Sequence, residues 1–305
     1  MVRYIIKRLL STIPVLLIIA TITFFIMRIA PGGPFDSEKA LPPEILETIN
    51  KKYHFDEPLY MQYLRYMKNI LYLDLGPSFK YSNRTVNEII LQSFPVSLEL
   101  GFWALLFAAF FGITIGIISS LRHNTRIDYF FMGLATLGIS LPSFVLGPLL
   151  VLIFALHFTI LPVAGWSSIP HMIMPALTLG AIYTAYIARL TRGGMLEILN
   201  QDFIRTARAK GLKETTVVLR HALKGGLLPV VTFLGPAFAG IVTGSLVVET
   251  IFNVPGLGRY FIQSALNRDY TLVMGTVLFY AIILIVMNLI VDVVYTFLDP
   301  RVSYE

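Results

Sequence analysis

Long apolar runs alternate along this chain with connections rich in basic or polar residues. A helix needs about 20 apolar residues to cross the hydrocarbon core of a bilayer. The uncharged stretch from Tyr129 to Ala188 is too long for one crossing, and Pro162, Gly165 and Pro170 predict a turn that divides it. The predicted spans are therefore 9–27, 100–121, 129–158, 172–196, 225–248 and 270–291, the last extending to Leu298.

The basic residues predict an orientation for these six spans. The apolar run after Arg3, Lys7 and Arg8 is longer than the core of a cleavable signal peptide, so the first span is expected to remain as an anchor. Lys and Arg are enriched in cytoplasmic connections. The 189–224 connection is rich in Lys and Arg, whereas 159–171 has neither. The 189–224 connection is therefore predicted to be cytoplasmic. With six spans, both termini are predicted to be cytoplasmic as well.

The segment 31–95 is long enough to form a small external subdomain after the first span. Pro43 can begin a short helix through Tyr53. Apolar residues from Tyr60 to Leu71 recur at helical spacing and predict a second helix. The expected organisation is an anchor at 1–30, the subdomain at 31–95, a five-helix core at 96–298 with a cytoplasmic loop at 197–226, and a cytoplasmic tail at 299–305.

Composition supports an all-α polytopic membrane protein. The chain is 56% hydrophobic and 14% charged, where soluble domains have about 25% charged residues. It has no cysteine, which excludes disulfides and thiolate metal sites. The net charge of +6 is explained by the basic cytoplasmic connections, so no nucleic-acid partner is expected.

Motifs for catalysis or nucleotide binding are absent from the sequence. It has no Walker A motif, no H-E-x-x-H zinc motif and no complete nucleophile elbow. We therefore predict no catalytic, cofactor-binding or metal-binding residue. Four charged residues, Arg28, Glu99, Glu249 and Asp292, lie near predicted span ends, where snorkelling or headgroup contact is expected. No carboxylate lies near the middle of a span, which disfavours an ion-coupled carrier.

The 197–226 loop contains an amphipathic segment followed by a helix breaker. Phe203, Ile204 and Ala207 share one helical face, and Arg205 and Arg208 lie on another. Gly211 is expected to end this helix, and a second helix is predicted from Glu214 to Leu223, ended by Gly225 and Gly226. Periodicity alone leaves two interpretations open: an interfacial helix on anionic lipid, or a docking element for a partner protein.

Specific residues in this loop resemble a known family. The pattern Arg205-Thr206-Ala207-x-x-x-Gly211, with Leu227-Leu228-Pro229 downstream, is similar to the E-A-A-x-x-x-G loop of binding-protein-dependent ABC importer permeases. Arg205 and Thr206 depart from the general pattern, but Thr206 to Leu212 matches the T-A-R-A-K-G-L form of the peptide and nickel branch. Further matching segments are 30–35, 76–79, 248–252, 255–258, 267–270 and 299–301.

The resemblance implies a type I (MetI-like) importer permease fold and a division of labour among subunits. It implies a homologous second permease, two cytoplasmic ATPases that hydrolyse ATP with magnesium, and an extracytoplasmic substrate-binding protein, all in a bacterial inner or plasma membrane. The ATPase-coupling element would comprise Phe203, Ile204, Arg205, Thr206, Ala207, Arg208, Ala209, Lys210, Gly211, Leu212, Lys213, Glu214 and Thr215. Small Ala207 and Ala209 would fit closely into an ATPase groove.

The same resemblance bears on the external side and on the substrate. The turn with Pro255, Gly256 and Gly258 would face the external side as a possible gate. Oligopeptides are the favoured substrate. Dipeptides, nickel and oligosaccharides remain open within the family, and an ion-coupled transporter is the alternative outside it.

Overall fold

The computed structural model describes residues 2–29, 33–34 and 43–298. Every regular element in this part of the chain is a helix, which confirms the all-α prediction. The helices are α1 Val2–Ile29, α2 Pro43–Lys52, α3 Leu59–Leu71, α4 Val86–Leu121, α5 Arg126–Ser140, α6 Ser143–Leu150, α7 Ile169–Leu199, α8 Asp202–Ala209, α9 Glu214–Thr216, α10 Leu223–Gly226, α11 Leu228–Gly244, α12 Leu246–Ile251, α13 Leu257–Leu266 and α14 Tyr270–Leu298. Two π-helical segments, Val151–His157 and Val217–Ala222, extend α6 and join α9 to α10.

Between four and six segments of the described chain are long and apolar enough to cross a membrane. Leu10–Ile29, Val86–Leu121, Ile169–Leu199 and Tyr270–Ile290 qualify singly. Two bent pairs, Arg126–Ser140 with Ser143–His157 and Glu214–Gly226 with Leu228–Thr243, qualify together. The predicted count of six is reached when each bent pair is one span.

One of the bent pairs corrects the sequence prediction, which expected a continuous helix over 129–158, whereas the other bend lies where the sequence predicted a helix end. The predicted 129–158 helix is broken at Leu141, and its halves meet at 109°. Leu141 is extended, with ψ 113°, because the following Pro142 disfavours the helical conformation. The end of α10 at Gly226 agrees with the helix end predicted at Gly225 and Gly226, and the two parts of this pair differ in direction by 52°. The predicted 225–248 span departs from the structure further on, because α11 ends at Gly244 and α12 begins at Leu246.

The described chain divides into two compact units. The first comprises residues up to Val96 together with Gly256–Ile285, and the second comprises Ser97–Pro255 and the residues from Val286 onwards. The helices predicted over 43–53 and 60–71 are confirmed as α2 and α3 of the first unit. Helix α4 begins at Val86, inside the segment that the sequence assigned to the external subdomain. Residues 299–305, and segment 30–35 apart from Gly33 and Pro34, lie outside the described residues.

Asp269 organises the first unit by joining two distant sequence segments. Its fully buried carboxylate accepts a hydrogen bond from the Ser78 hydroxyl and another from the Phe79 amide at 3.2 Å. It also accepts from the amide of Leu272 at 3.2 Å, in the first turn of α14. One carboxylate thus anchors the 76–81 loop and caps a helix, which explains why segments 76–79 and 267–270 are both distinctive.

Helix α7 is the centre of the second unit, where it contacts α5, α6, α10 and α11. Small residues let these helices approach closely. Ala135 of α5 packs against Ala185 and Ala188 of α7 in one buried cluster. At Gly194 a side chain could not fit, because a Cβ there would lie 2.3 Å from the carbonyl oxygen of Gly226.

Candidate functional site

The predicted helix–glycine–helix loop is present, and we call residues 202–226 the elbow. Helix α8 ends at Ala209, and Gly211 has a φ of +76°. This left-handed conformation is open to glycine and costly for most other residues. The amide of Gly211 donates a hydrogen bond to the carbonyl of Arg208 at 2.9 Å, which closes the last turn of α8. The chain then returns through α9 and α10.

The elbow is held on the protein by its own apolar face. Ile204 and Ala207 are buried in one cluster with Met195 of α7 and three residues of the returning segment, Val217, Val218 and Ala222. Full burial of an Ile side chain stabilises a contact by about 1.5–3 kcal/mol. The elbow is therefore packed against α7 and is not a free loop.

The residues that the sequence placed on one face of the first elbow helix differ in burial. Phe203 was predicted to share a helical face with Ile204, but the side chain of Phe203 is 50% exposed whereas Ile204 is fully buried. Ala207, one of the two small residues that the resemblance places in an ATPase groove, is 7% exposed in this chain. Positions 204 and 207 fill the cluster on α7, so the predicted face is divided between buried and exposed residues. Residues 203, 206 and 210 share a different stripe, at spacing i, i+3, i+7.

Arg208 and Glu214 connect the two arms of the elbow. The Arg208 Nε and Nη2 atoms donate to the two carboxylate oxygens of Glu214 at 3.1 and 2.7 Å. These hydrogen bonds raise the pKa of Arg208 above its ordinary value. The pair is exposed, so it contributes at most about 1 kcal/mol. The pair links α8 to α9 across Gly211.

The remaining predicted coupling residues form an exposed surface. Arg205 has a side chain that is 73% exposed and lies 3.4 Å from Asp202. Leu212 is 40% exposed. The other residues on this surface are Thr206, Ala209, Lys210, Lys213 and Thr215. The elbow thus presents Phe203 and Leu212 among several basic residues.

Sequence reasoning missed an ion pair close to the elbow. Arg192 of α7 donates from Nε and Nη2 to the Asp128 carboxylate, at 2.8 and 2.7 Å. The same carboxylate accepts from the Ser119 hydroxyl and, at 2.9 Å, from the amide of Asn124. Asp128 is 1% exposed. The carboxylate therefore joins the end of α4, the start of α5 and α7, one turn from Met195 in the elbow cluster.

A local signal for this ion pair was present in the sequence. Thr125 and Asp128 have the spacing of a helix-capping box, and the Thr125 side chain accepts from the Asp128 amide at the start of α5. That signal predicts a helix start. It does not identify Arg192, which lies 64 positions later along the chain.

The predicted gate residues lie in a turn between α12 and α13. Pro255 is exposed, whereas Gly256 and Gly258 are buried. Gly256 precedes α13 with a φ of −86° and an extended backbone. The left-handed residue of this turn is Asn253, with a φ of +49°. Conformational need therefore does not explain the glycine at 256.

Glu249 lies in α12 and differs from the sequence expectation. It was predicted to snorkel or to contact headgroups, but its side chain is fully buried. The hydroxyls of Ser97 and Ser245 donate to its Oε1 atom at 2.7 and 2.5 Å. The snorkelling prediction was wrong for this residue because α4 and α12 enclose it with polar partners.

No group of three or more His, Cys, Asp or Glu residues in the described chain could hold a metal ion. The other single histidine and carboxylate positions contribute no such cluster. The distinctive chemistry of the described residues is therefore the elbow and the buried polar groups that hold helices together.

Comparisons with known proteins agree with this architecture. Residues 112–304 match the family of binding-protein-dependent transport system inner membrane components, and residues 1–101 match the N-terminal family of the same systems. The chain is 48% identical over its full length, and that of the relative, to the oligopeptide transport system permease protein OppB of Haemophilus influenzae. It is 45% identical to the dipeptide transport system permease protein DppB of Bacillus subtilis, over 99% of this chain and 98% of the relative.

The fold is also found among solved structures. An inward-facing structure of the MetNI methionine ABC transporter superposes with a TM-score of 0.56 at 16% identity, covering 69% of this chain and 96% of that chain. This likeness confirms the predicted MetI-like permease fold. Together with the full-length relatives and the apolar spans, it shows that this multi-pass membrane protein belongs to the family of binding-protein-dependent transport system inner membrane components.

Proposed function

We propose that this chain is one of two permease subunits in an ATP-driven importer of oligopeptides. In this proposal a homologous second permease completes the translocation pathway, and two separate ATPases hydrolyse ATP with magnesium. An extracytoplasmic binding protein delivers the peptide. The full-length relationship to peptide permeases supports the substrate class.

The observation that carries the proposal is the elbow. It is anchored by Ile204 and Ala207 on the same cluster as Met195 of α7, while Phe203 and Leu212 remain exposed. An anchored element with an exposed aromatic side chain can transmit force from a bound ATPase to α7. The basic side chains around it tune association with an acidic partner surface more than they add affinity.

Orientation follows from the same proposal. The elbow faces the cytoplasm, both termini are cytoplasmic, and the turn at Pro255 faces outward. The protein resides in the inner or plasma membrane of a bacterium. The basic connections predicted to be inside by the positive-inside rule support this arrangement.

Cysteine cross-linking tests the coupling role directly. The natural sequence has no cysteine, so Phe203→Cys introduces a unique thiol on the elbow. We expect it to cross-link to an ATPase subunit in the assembled complex. Leu266→Cys is the matched control, because Leu266 is an apolar residue that is 77% exposed at the end of α13, predicted to be external.

Phe203→Ala should weaken coupling without disturbing the fold, because half of the side chain is exposed. Loss of an interfacial aromatic anchor costs about 2 kcal/mol of binding free energy. We expect a large decrease in peptide-stimulated ATP hydrolysis in proteoliposomes, with unchanged membrane insertion. Cross-linking of Leu266→Cys instead of Phe203→Cys to the ATPase would contradict the proposed orientation.

Substrate class requires a separate measurement. Transport of labelled oligopeptides, dipeptides, nickel and an oligosaccharide should be compared in the same proteoliposomes. We expect ATP-dependent uptake of oligopeptides. Uptake that an uncoupler abolishes, and that persists without an ATPase, would instead identify an ion-coupled carrier.

A further inference from the structure

Helix α3 carries an apolar stripe that the described residues leave uncovered. The members of this α3 stripe are spaced three or four positions apart: Tyr60, Leu64, Met67 and Leu71. Tyr60, Leu64 and Leu71 are 64%, 59% and 79% exposed, and no residue of α3 is buried. Tyr72 and Leu73, which follow the helix, are also largely exposed. A run of exposed apolar side chains of this size is typical of a surface that a protein or a membrane covers.

An adjoining face of α3 packs on the carboxyl-terminal turns of α1. The ring of Tyr63 stacks on that of Phe25, with centroids 5.6 Å apart and an interplanar angle of 28°. The ring of Tyr66 stacks on that of Phe24, also at 5.6 Å. The hydroxyls of Tyr63 and Thr21 are hydrogen-bonded at 2.9 Å. Helix α3 therefore lies against α1 from Thr21 to Phe25.

These contacts determine which side of α1 the α3 stripe is on. Residues three or four positions apart are neighbours on a helix surface. Tyr63 is three positions from Tyr60, so it borders the stripe. Its partner Phe25 is three positions from Ile22 and four from Ile29, which are 53% and 78% exposed on α1. The α3 stripe and the exposed face of α1 are therefore on the same side.

The opposite edge of the contact is polar. Tyr66 is four positions from Gln62 and three from Asn69, and it stacks on Phe24, which is 1% exposed. Gln62, Asn69 and Arg65 line a cavity of about 240 Å³ within the first unit. Helix α3 thus has its polar side towards this cavity and its apolar stripe on the side of the exposed residues of α1.

The exposed face of α1 belongs to a segment that crosses the membrane. Leu10–Ile29 is long and apolar enough to do so, in a chain that belongs to a family of multi-pass membrane proteins. Within Leu10–Ile29, all of which the structure describes, only Ala20 and Phe24 are buried. Lipid is therefore the expected surroundings of the other residues of this segment.

The contact with Tyr63 shows how deep α3 lies. No residue between Arg8 and Arg28 is charged, so Arg28 marks the level of the lipid headgroups. Thr21 precedes Arg28 by seven residues, which corresponds to about 10 Å along the helix axis. Because the Tyr63 hydroxyl reaches Thr21, the face of α3 that borders its stripe lies at the depth of the interface between headgroups and acyl chains.

We propose that α3 is an interfacial helix whose stripe is embedded in the leaflet that contains the carboxyl end of α1. Interfacial helices bury their apolar face about 5–10 Å into the boundary between headgroups and acyl chains, which agrees with the position of Tyr63. The exposed Lys68 is four positions from Leu64 and three from Leu71, so its ammonium can extend from the edge of the stripe to lipid phosphates. Tyr72 and Leu73 extend the embedded surface beyond the helix. The leaflet thereby holds α3 against α1.

Quenching by labelled lipids tests this proposal. The chain has no cysteine, so Leu64→Cys can carry a single fluorophore in the full-length chain, reconstituted in nanodiscs with the subunits that accompany it. Phosphatidylcholine with a nitroxide on its acyl chain should quench this label. Iodide in the aqueous phase should quench it about tenfold less than it quenches a label in water. Leu71→Cys should give the same result at the other end of the stripe.

Arg65→Cys is the matched control. Arg65 is the next residue of the same helix, its side chain is 48% exposed, and its ion pair with Glu57 is exposed enough to be lost at little cost. Iodide should quench the Arg65 label strongly, and the nitroxide lipid should quench it weakly. Size-exclusion profiles show whether the labelled variants remain folded.

Two quenching results would overturn the proposal. Equal quenching of the Leu64 and Arg65 labels by iodide would show that the α3 stripe lies in water. Protection of the Leu64 label from both iodide and the nitroxide lipid would show that a protein surface covers the stripe. Lipid quenching with protection from iodide, at both Leu64 and Leu71, supports the interfacial position.

Hydrogen exchange measures how firmly the leaflet holds the helix, without any label. Leu64→Gln combined with Leu71→Gln removes two apolar contacts with lipid but changes no contact within the described chain that buries either residue. Exchange of the α3 amides in nanodiscs should accelerate about tenfold in this variant, whereas Arg65→Gln should exchange at nearly the rate of the wild type. The same exchange rate in the double variant and in Arg65→Gln would contradict a helix held by lipid.

Discussion

Gly211 permits a test in which backbone conformation is separated from packing. Its φ of +76° requires the left-handed region. Apart from its two chain neighbours, no residue that the structure describes has an atom within 4 Å of the position that a Cβ would occupy there. A substitution at Gly211 therefore meets no steric barrier from neighbouring residues, and its cost is that of the backbone conformation alone.

The size of this cost follows from the conformation. The left-handed conformation costs an ordinary L-residue about 1–2 kcal/mol, while Asn adopts it more readily. The burial of Ile204 contributes about 1.5–3 kcal/mol to holding the elbow on the protein. Gly211→Ala should thus remove a substantial part of that free energy. The ratio of seated to released elbow should fall roughly 5- to 30-fold.

Two measurements on the reconstituted complex check this prediction. Hydrogen exchange of the α8 amides should accelerate in the order Gly, Asn, Ala, with Val the fastest because it is β-branched. Peptide-stimulated ATP hydrolysis should decline in the same order. Gly211→Pro, which fixes φ near −65°, should abolish uptake while the chain still inserts into the membrane.

The Asn variant is the control that makes the result decisive. If Gly211→Asn were as damaging as Gly211→Ala, the cost would not arise from the backbone conformation. If Gly211→Ala left exchange and uptake unchanged, the elbow angle would not be set at this residue. Either result would refute the reasoning above.

Three further substitutions have expected outcomes. Asp128→Asn leaves Arg192 without its carboxylate and should lower the free energy of unfolding by about 2–4 kcal/mol, measured as a lower thermal midpoint. Arg192→Lys should lower it less. Equal midpoints for wild type and Asp128→Asn would contradict the buried ion pair. Gly194→Ala should lower the free energy of unfolding by about 1–3 kcal/mol, because the added Cβ would overlap the carbonyl of Gly226. If this variant had the thermal stability of the wild type, the two helices would separate easily. Asp269→Asn removes a charged acceptor that several donors share, so protease should cleave the 76–81 loop faster in this variant. A cleavage rate equal to that of the wild type would exclude the anchoring role of Asp269.

The sequence determined much of the architecture through local periodicity and charge. Apolar runs located the spans because a bilayer demands about 20 apolar residues in succession. Gly211 identified the break in the elbow because no other residue is as permissive at positive φ. Helices α2 and α3 followed from a proline at a helix start and from apolar spacing.

In the elbow, the sequence pattern did not predict which residues are buried. Periodicity placed Phe203, Ile204 and Ala207 on one face, yet it could not decide which residues of that face contact the protein itself. Met195 and Val217, which lie outside α8, enclose Ile204 and leave Phe203 exposed.

Partnerships across the chain were decided only by the tertiary structure. Hydropathy identified Glu249 and Arg28 as charged residues near span ends. In the folded chain, Glu249 is buried and accepts hydrogen bonds from Ser97 and Ser245, and the guanidinium of Arg28 lies beside three aromatic rings. These contacts depend on helices that folding brings together. The ion pair of Asp128 with Arg192 has the same origin. A sequence determines which stretches form helices because that choice is local, whereas the partners of a buried charge depend on which helices pack together.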